Sequence, residues 1–210
     1  MPLSCDFMRF RIFQTVKLPV QEISFDLRPH NNHFYILSII CVNIISMYIN
    51  ILSMLPDFIA LTCLYYYIWL PRWRRLSHSN FIWHTVLYTY ICIILMLTLM
   101  PIITNLPNIF SGFSTEINFH PFIDWQLQRG SYLTESLLNI SLFIPFGFLI
   151  QKTLRLKPLS AIMIGMIFSI SIEVLQPLIS TNRVGDISDV ITNTVGTCIG
   201  ILLYQLYKHK

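Results

Sequence analysis

"FIWHTVLYTYICIILMLTLM" runs from Phe81 to Met100 without a single Asp, Glu, Lys or Arg and halts at Pro101. A helix of about 20 apolar residues, rising about 1.5 Å per residue, crosses a bilayer core of about 30 Å. Three more predominantly apolar stretches of about that length follow downstream, each with one or two acids: Tyr132–Ile150, Leu159–Ile179 and Asp186–Tyr207. A soluble helical protein needs a polar face on each helix to meet water. These segments are apolar nearly all round, which excludes that class.

The whole chain agrees. Its 210 residues are 54% hydrophobic and 11% charged, against roughly 25% charged in soluble domains, and the mean hydropathy is +0.61. The expected fold is an all-α integral membrane protein, a bundle of five or six transmembrane helices with short loops. Upstream of Phe81, the stretch Phe34–Leu70 is too long for one upright helix and is interrupted by "LPDF" at Leu55–Phe58. Proline disfavours helix in the residue before it. The stretch is therefore either one kinked helix or two short spans, and this leaves the total at five or six.

The net charge of +4 does not point to nucleic acid, because Lys and Arg sit in short clusters between spans. Such clusters orient a membrane protein. Loop 71–80 carries Arg72, Arg74 and Arg75; loop 151–157 carries Lys152, Arg155 and Lys157; the end carries Lys208 and Lys210. The alternate loops carry Arg129 and Arg183 alone. Eight cations against two place the basic loops and the C-terminus in the cytoplasm, and loop 180–185 outside. Residues 1–33 form a cytoplasmic segment without the apolar core of a secretory signal, so the first span is expected to act as an uncleaved signal. Residues 34–80 form an extension with one or two spans and a basic loop, and residues 81–207 the main transmembrane domain. The five cysteines show no CxxC or Cys/His spacing; packing is their expected role, with no metal, no cofactor and no disulfide framework.

Against this apolar background, "SIEVLQPLISTNRVGDISDVITN" at Ser171–Asn193 gathers Glu173, Gln176, Arg183, Asp186, Asp189 and Asn193. Glu173 and Gln176 are three apart and share a helix face with Ser169; Asp186, Asp189 and Asn193 share another. Asp186 or Ser188 suits the N-cap of the last helix. The short loop makes the two helices antiparallel neighbours, so both polar faces converge at one rim of the membrane, with Arg183 between them. Gly196 and Gly200 form a GxxxG step for close helix approach. Upstream, "NISLFIPFGFL" at Asn139–Leu149 places Asn139 in mid-helix, able to bond to Gln176 or Asn193, and Pro145 and Gly147 in a kink. "INFHPFIDW" at Ile117–Trp125 suits interfacial anchoring.

Taken together, N-x3-F-x-P-F-G-F at Asn139–Phe148, S-x3-E-x2-Q at Ser169–Gln176 and R-x2-D-x2-D-x3-N-x2-G at Arg183–Gly196 resemble the VanZ family. The resemblance covers about residues 85–205, with an N-x2-P-F echo at Asn118–Phe122. It implies a multi-pass protein of the bacterial cell envelope, of a type associated with resistance to the glycopeptide teicoplanin. It also implies that Asn139, Glu173, Gln176, Arg183, Asp186, Asp189 and Asn193 are the family's polar positions. Three function classes follow. The first is a non-catalytic envelope protein whose outward acidic cleft binds a membrane lipid, a lipid-linked precursor or a glycopeptide-type amphiphile. The second is an intramembrane enzyme acting on a lipid head group, with carboxylates and Arg183 as its chemistry and no recognisable nucleophile–base pair. The third is a small transporter, for which Glu173 sits too shallow in the bilayer. The sequence leaves the oligomeric state open.

Overall fold

The computed structural model describes residues 51–110, 117–127, 132–179 and 184–208. The 1–33 segment, the first part of the 34–70 stretch and Arg183 lie outside the described residues, as does any crossing within 34–50. Five helices among the described residues are long and apolar enough to cross a membrane: α1 (Ile51–Trp73), α2 (His78–Thr98), α3 (Tyr132–Leu154), α4 (Pro158–Ile179) and α5 (Ile187–Lys208). A 3-10 helix (Ile103–Phe110), a single helical turn (Ile123–Gln126) and two short strands, β1 (Ile117–Asn118) and β2 (Gly185–Asp186), fill the connections. The protein is an all-α multi-pass membrane bundle.

Of the two readings of the "LPDF" stretch, its described part follows the single helix. Helix α1 runs through Pro56 and on to Trp73. Membrane helices tolerate proline where neighbours re-satisfy the freed backbone, and α3 and α4 likewise carry Pro145 and Pro177 inside them. Helix α1 contains a π turn at Tyr65–Trp69. Just ahead of it, the Leu61 carbonyl accepts a 2.7 Å hydrogen bond from the Tyr88 hydroxyl on α2. The basic loops are also shorter than the sequence suggests. Helix α1 takes in Pro71–Trp73, α2 begins at His78, and α3 continues to Leu154. Apolarity marks only the membrane-embedded part of a helix, whereas the backbone ladder continues through polar residues until a breaker. Pro158 then opens α4, where its missing N–H costs nothing.

Helix α5 is the centre of the bundle, lying along α3 and against α4, while α3 also packs on α2. The approach of α5 to α3 depends on small residues. A Cβ added at Gly147 would strike the Thr197 backbone, one at Gly196 the Ile140 carbonyl, and one at Gly200 the Ile144 carbonyl. Between lipid tails there is little hydrophobic drive for helices to associate, so close van der Waals packing holds them. The core fills around this seam with Ile94, Phe143, Phe146, Ala161, Ile172 and Ile201, and Phe168 stacks on Phe146 at 5.2 Å. Leu159, Met163, Ile167, Ile170 and Val174 form an exposed apolar stripe down α4. In water such a stripe invites aggregation; in a bilayer it is the lipid face.

Chain direction puts the ends of the bundle in order. One end gathers the starts of α1, α3 and α5 with the ends of α2 and α4, and carries the 3-10 helix and both strands. The other gathers Arg72, Lys152, Arg155 and Lys208 at helix termini.

Candidate functional site

Helix α4 breaks its own hydrogen-bond ladder at Pro177, which leaves the Glu173 carbonyl without its usual donor. Gly185 lies against that carbonyl: a Cβ there would sit 2.6 Å from the Glu173 oxygen. The tight passage of β2 brings the Asp186 N–H to the Glu173 side chain, whose Oε2 accepts it at 3.0 Å. Glu173 is 5% exposed, so its carboxylate is buried between the end of α4 and the start of α5.

Asp186 caps α5. Its Oδ1 accepts from the Ser188 backbone N–H at 2.8 Å and from the Ser188 hydroxyl at 2.7 Å, satisfying one of the N–H groups that a helix start leaves free. The loop from β1 docks on this cap. β1 pairs with β2 in parallel, Ile117 opposite Gly185 and Asn118 opposite Asp186. The Asn118 amide donates to Asp186 Oδ2 at 3.4 Å, and the Phe122 N–H donates to Ser188 Oγ at 2.9 Å. Phe122 takes a left-handed conformation, with φ 55°. The same loop therefore grips both side chains that close the α5 N-terminus. Asp189, in the first turn of α5 and half-buried, adds a third carboxylate to this end.

The remaining polar positions serve other contacts. Gln176 Nε2 donates at 3.3 Å to the Thr98 carbonyl, one of the carbonyls a helix end leaves free, and so ties α4 to α2. Asn193 faces inward, 4% exposed, and donates to Ser169 Oγ at 2.9 Å; its own oxygen has no partner. Asn139 is half-buried. It bonds to neither Gln176 nor Asn193, whose amides are turned to Thr98 and Ser169 instead. Gly147, Gly196 and Gly200 lie in the α3–α5 seam, with Pro145 beside them inside α3.

Residues 58–208 match the model of the VanZ/LLP1 family. The chain belongs to the VanZ family. It is 31% identical over 124 residues to Protein VanZ of Enterococcus faecium, an alignment covering 58% of this chain and 72% of that relative. No solved structure matches it. The family match begins at Phe58, inside α1, and so takes in the rest of the first described helix and the four that follow.

Sequence reasoning gave Asn118 and Phe122 no part in this candidate site and named Ser188 only as an alternative to Asp186 for the cap. Asn118, Phe122 and Ser188 do the docking, yet the segment containing the first two reads as an aromatic interfacial anchor. The N-x2-P-F spacing was the available signal. Asp57 is the other omission. It is 3% exposed, and its two carboxylate oxygens accept from the Ile102 N–H at 2.8 Å and the Ile103 N–H at 3.0 Å. It thereby caps the 3-10 helix from across the bundle. A charged residue within an apolar stretch is itself a signal. Among the described residues, no three His, Cys, Asp or Glu side chains are grouped to hold a metal ion. The chemistry on offer at this end is carboxylate and amide: acceptors and anionic charge on a braced frame.

Proposed function

We propose that this VanZ-family protein works in the cell envelope with its carboxylate-rich end on the outer face, where it holds the polar part of an amphiphile, a lipid-linked precursor or a glycopeptide, and contributes to tolerance of teicoplanin-type antibiotics. One observation carries the reading: Glu173, Asp186 and Asp189 gather with the Asn118–Phe122 loop at one rim of a bundle whose helices would insert without them. Carboxylates are costly near hydrocarbon and mark function by default. The relative named Protein VanZ supports the link to the envelope.

The test is complementation of a deletion strain. Glu173→Gln and Asp189→Asn are expected to abolish the antibiotic tolerance restored by the wild-type gene, at unchanged membrane abundance. If both variants protect as well as wild type, the carboxylates are not the working part.

A second reading, an enzyme acting on a lipid head group, draws on the burial of the Glu173 carboxylate, since a desolvated acid suits proton transfer. The lipid profile of the deletion strain separates the two. One accumulating lipid supports the enzyme, and an unchanged profile the binder.

A further inference from the structure

The opposite end of the bundle holds a pocket of about 370 Å³. Asn80 and Trp83 from the start of α2, Gln151 and Lys152 from the last turn of α3, Arg155 just beyond it, and Lys208 at the end of α5 line it. Every acid in the described segments lies in an element at the other end: Asp57, Asp124, Glu135, Glu173, Asp186 and Asp189. The three cations of the pocket therefore meet no carboxylate among the described residues.

Their placement is built rather than loose. The Lys152 ammonium sits 5.3 Å from the Trp83 ring, 5.9 Å from Tyr204 and 5.2 Å from Tyr207, an aromatic enclosure that fixes a cation while leaving its N–H groups free to donate. Arg155 takes a left-handed conformation with φ 51°. Glycine usually supplies that conformation just past a helix end. The guanidinium is steadied by Asn80 Oδ1 at 3.4 Å. Gln151 is 6% exposed; its Nε2 donates to the Leu156 carbonyl at 2.7 Å, and its Oε1 is buried without a partner. A buried acceptor left unmatched is costly, and orienting a protein by its basic loops requires neither that acceptor nor a pocket.

We propose that this pocket binds the head group of an anionic glycerophospholipid bearing a free hydroxyl, with Lys152, Arg155 and Lys208 on the phosphate and a head-group hydroxyl donating to Gln151 Oε1. The site lies at the ends of membrane-spanning helices among Trp and Tyr rings, which is head-group depth. Basic pockets between membrane helices suit anionic lipid phosphates. Exposed Leu154, Leu203 and Leu206, toward the ends of the same two helices α3 and α5, offer the acyl chains an apolar surface.

The full chain, purified in detergent, is exchanged against an equimolar mixture of phosphatidylglycerol, phosphatidylethanol and phosphatidylcholine, and the retained lipid is counted by mass spectrometry. Phosphatidylglycerol is expected to be retained over both others. Phosphatidylethanol has the same charge and no hydroxyl, so equal retention of these two overturns the assignment of Gln151. Retention of phosphatidylcholine equal to phosphatidylglycerol overturns the site. Arg155→Gln with Lys208→Gln should lower phosphatidylglycerol retention at least about tenfold, from about fivefold per cation at a membrane surface. If that pair fails to fold, Lys208→Gln alone, at an exposed position, still predicts about a fivefold loss. Arg74→Gln with Arg75→Gln, in the loop nearby, should leave retention unchanged; an equal loss there means general surface charge and overturns the pocket. Displacement of the lipid by excess inorganic phosphate would show a free-anion site and overturn the lipid assignment.

Discussion

Asp57 accepts hydrogen bonds from two backbone N–H groups, those of Ile102 and Ile103, at the start of the 3-10 helix. Leaving a buried donor unpaired costs about 1–3 kcal/mol, so Asp57→Ala removes two acceptors at once from a nearly inaccessible site. Its expected effect is a clear drop in thermal stability in detergent, read by loss of the monodisperse size-exclusion peak on heating. Asp57→Asn keeps one acceptor oxygen and should fall between wild type and Ala. Glu173 invites a parallel comparison with a different purpose. Glu173→Gln keeps an oxygen for the Asp186 N–H and should melt near wild type, whereas Glu173→Leu leaves that donor unmatched and should lose stability by about 1–3 kcal/mol. This contrast is what gives the complementation test its force, because a Gln variant that folds but does not protect reports on charge and not on the brace. Asp57 also shows where sequence reading fails at this scale. Its charge was visible in an apolar stretch, but its partners lie 45 and 46 residues away, and no spacing rule reaches that far.

At the scale of helices, the α3–α5 seam rests on glycines whose replacement has different consequences according to what they face. At Gly200 the obstacle is the Ile144 carbonyl, and at Gly147 the Thr197 backbone, neither of which can rotate away. Overpacking costs typically about 1–3 kcal/mol, so Gly200→Ala should lower the melting temperature in detergent with no rescue from any side-chain change on α3. At Gly165 the obstacle is the Thr197 side chain, with its methyl 2.6 Å and its hydroxyl 2.7 Å from the added Cβ. Gly165→Ala should therefore destabilise in the wild type and much less in a Thr197→Ala background, a coupling measurable as a double-mutant cycle. The four-residue step from Gly196 to Gly200 was legible in the sequence because helical periodicity forces the two onto one face. The identity of the facing helix was not, since any neighbour with a flat stripe would satisfy the pattern. Four of the five spans were legible for the same reason that the bundle inserts: a run of apolar residues about 20 long has few other uses. The ends of α4 and α5 were legible to within one residue, but those of α1 and α3 that run into the basic loops were not, as the overrun of α1 through Pro71–Trp73 and of α3 to Leu154 shows, because hydrogen-bond ladders do not stop where hydropathy does. The polar site divides along the same line. Asp186 as a cap follows from local chemistry, whereas Gln176 on Thr98 and Asn193 on Ser169 depend on which helix lies opposite.

At the scale of the whole molecule, the described residues are electrostatically two-ended, with carboxylates and docked loops at one rim and cations at the other. Counted over the loops from residue 71 onward and the C-terminal end, Arg72, Arg74, Arg75, Lys152, Arg155, Lys157, Lys208 and Lys210 oppose Arg129 and Arg183, and an excess of Lys and Arg holds a loop in the cytoplasm. The expected orientation puts loop 180–185 outside. In a background with the native cysteines replaced, Asn182→Cys should react with an impermeant thiol reagent on intact cells, and Ser77→Cys, in the loop between α1 and α2, only after lysis. The opposite pattern would turn the carboxylate end toward the cytosol, where an externally supplied glycopeptide cannot meet it, and the proposed envelope role would fall. The lipid pocket would survive such a result, since its geometry requires only a head-group layer at the basic rim, and its occupant would then come from the outer leaflet. Labelling and lipid retention thus test separate ends of one bundle, and each can fail without carrying the other down.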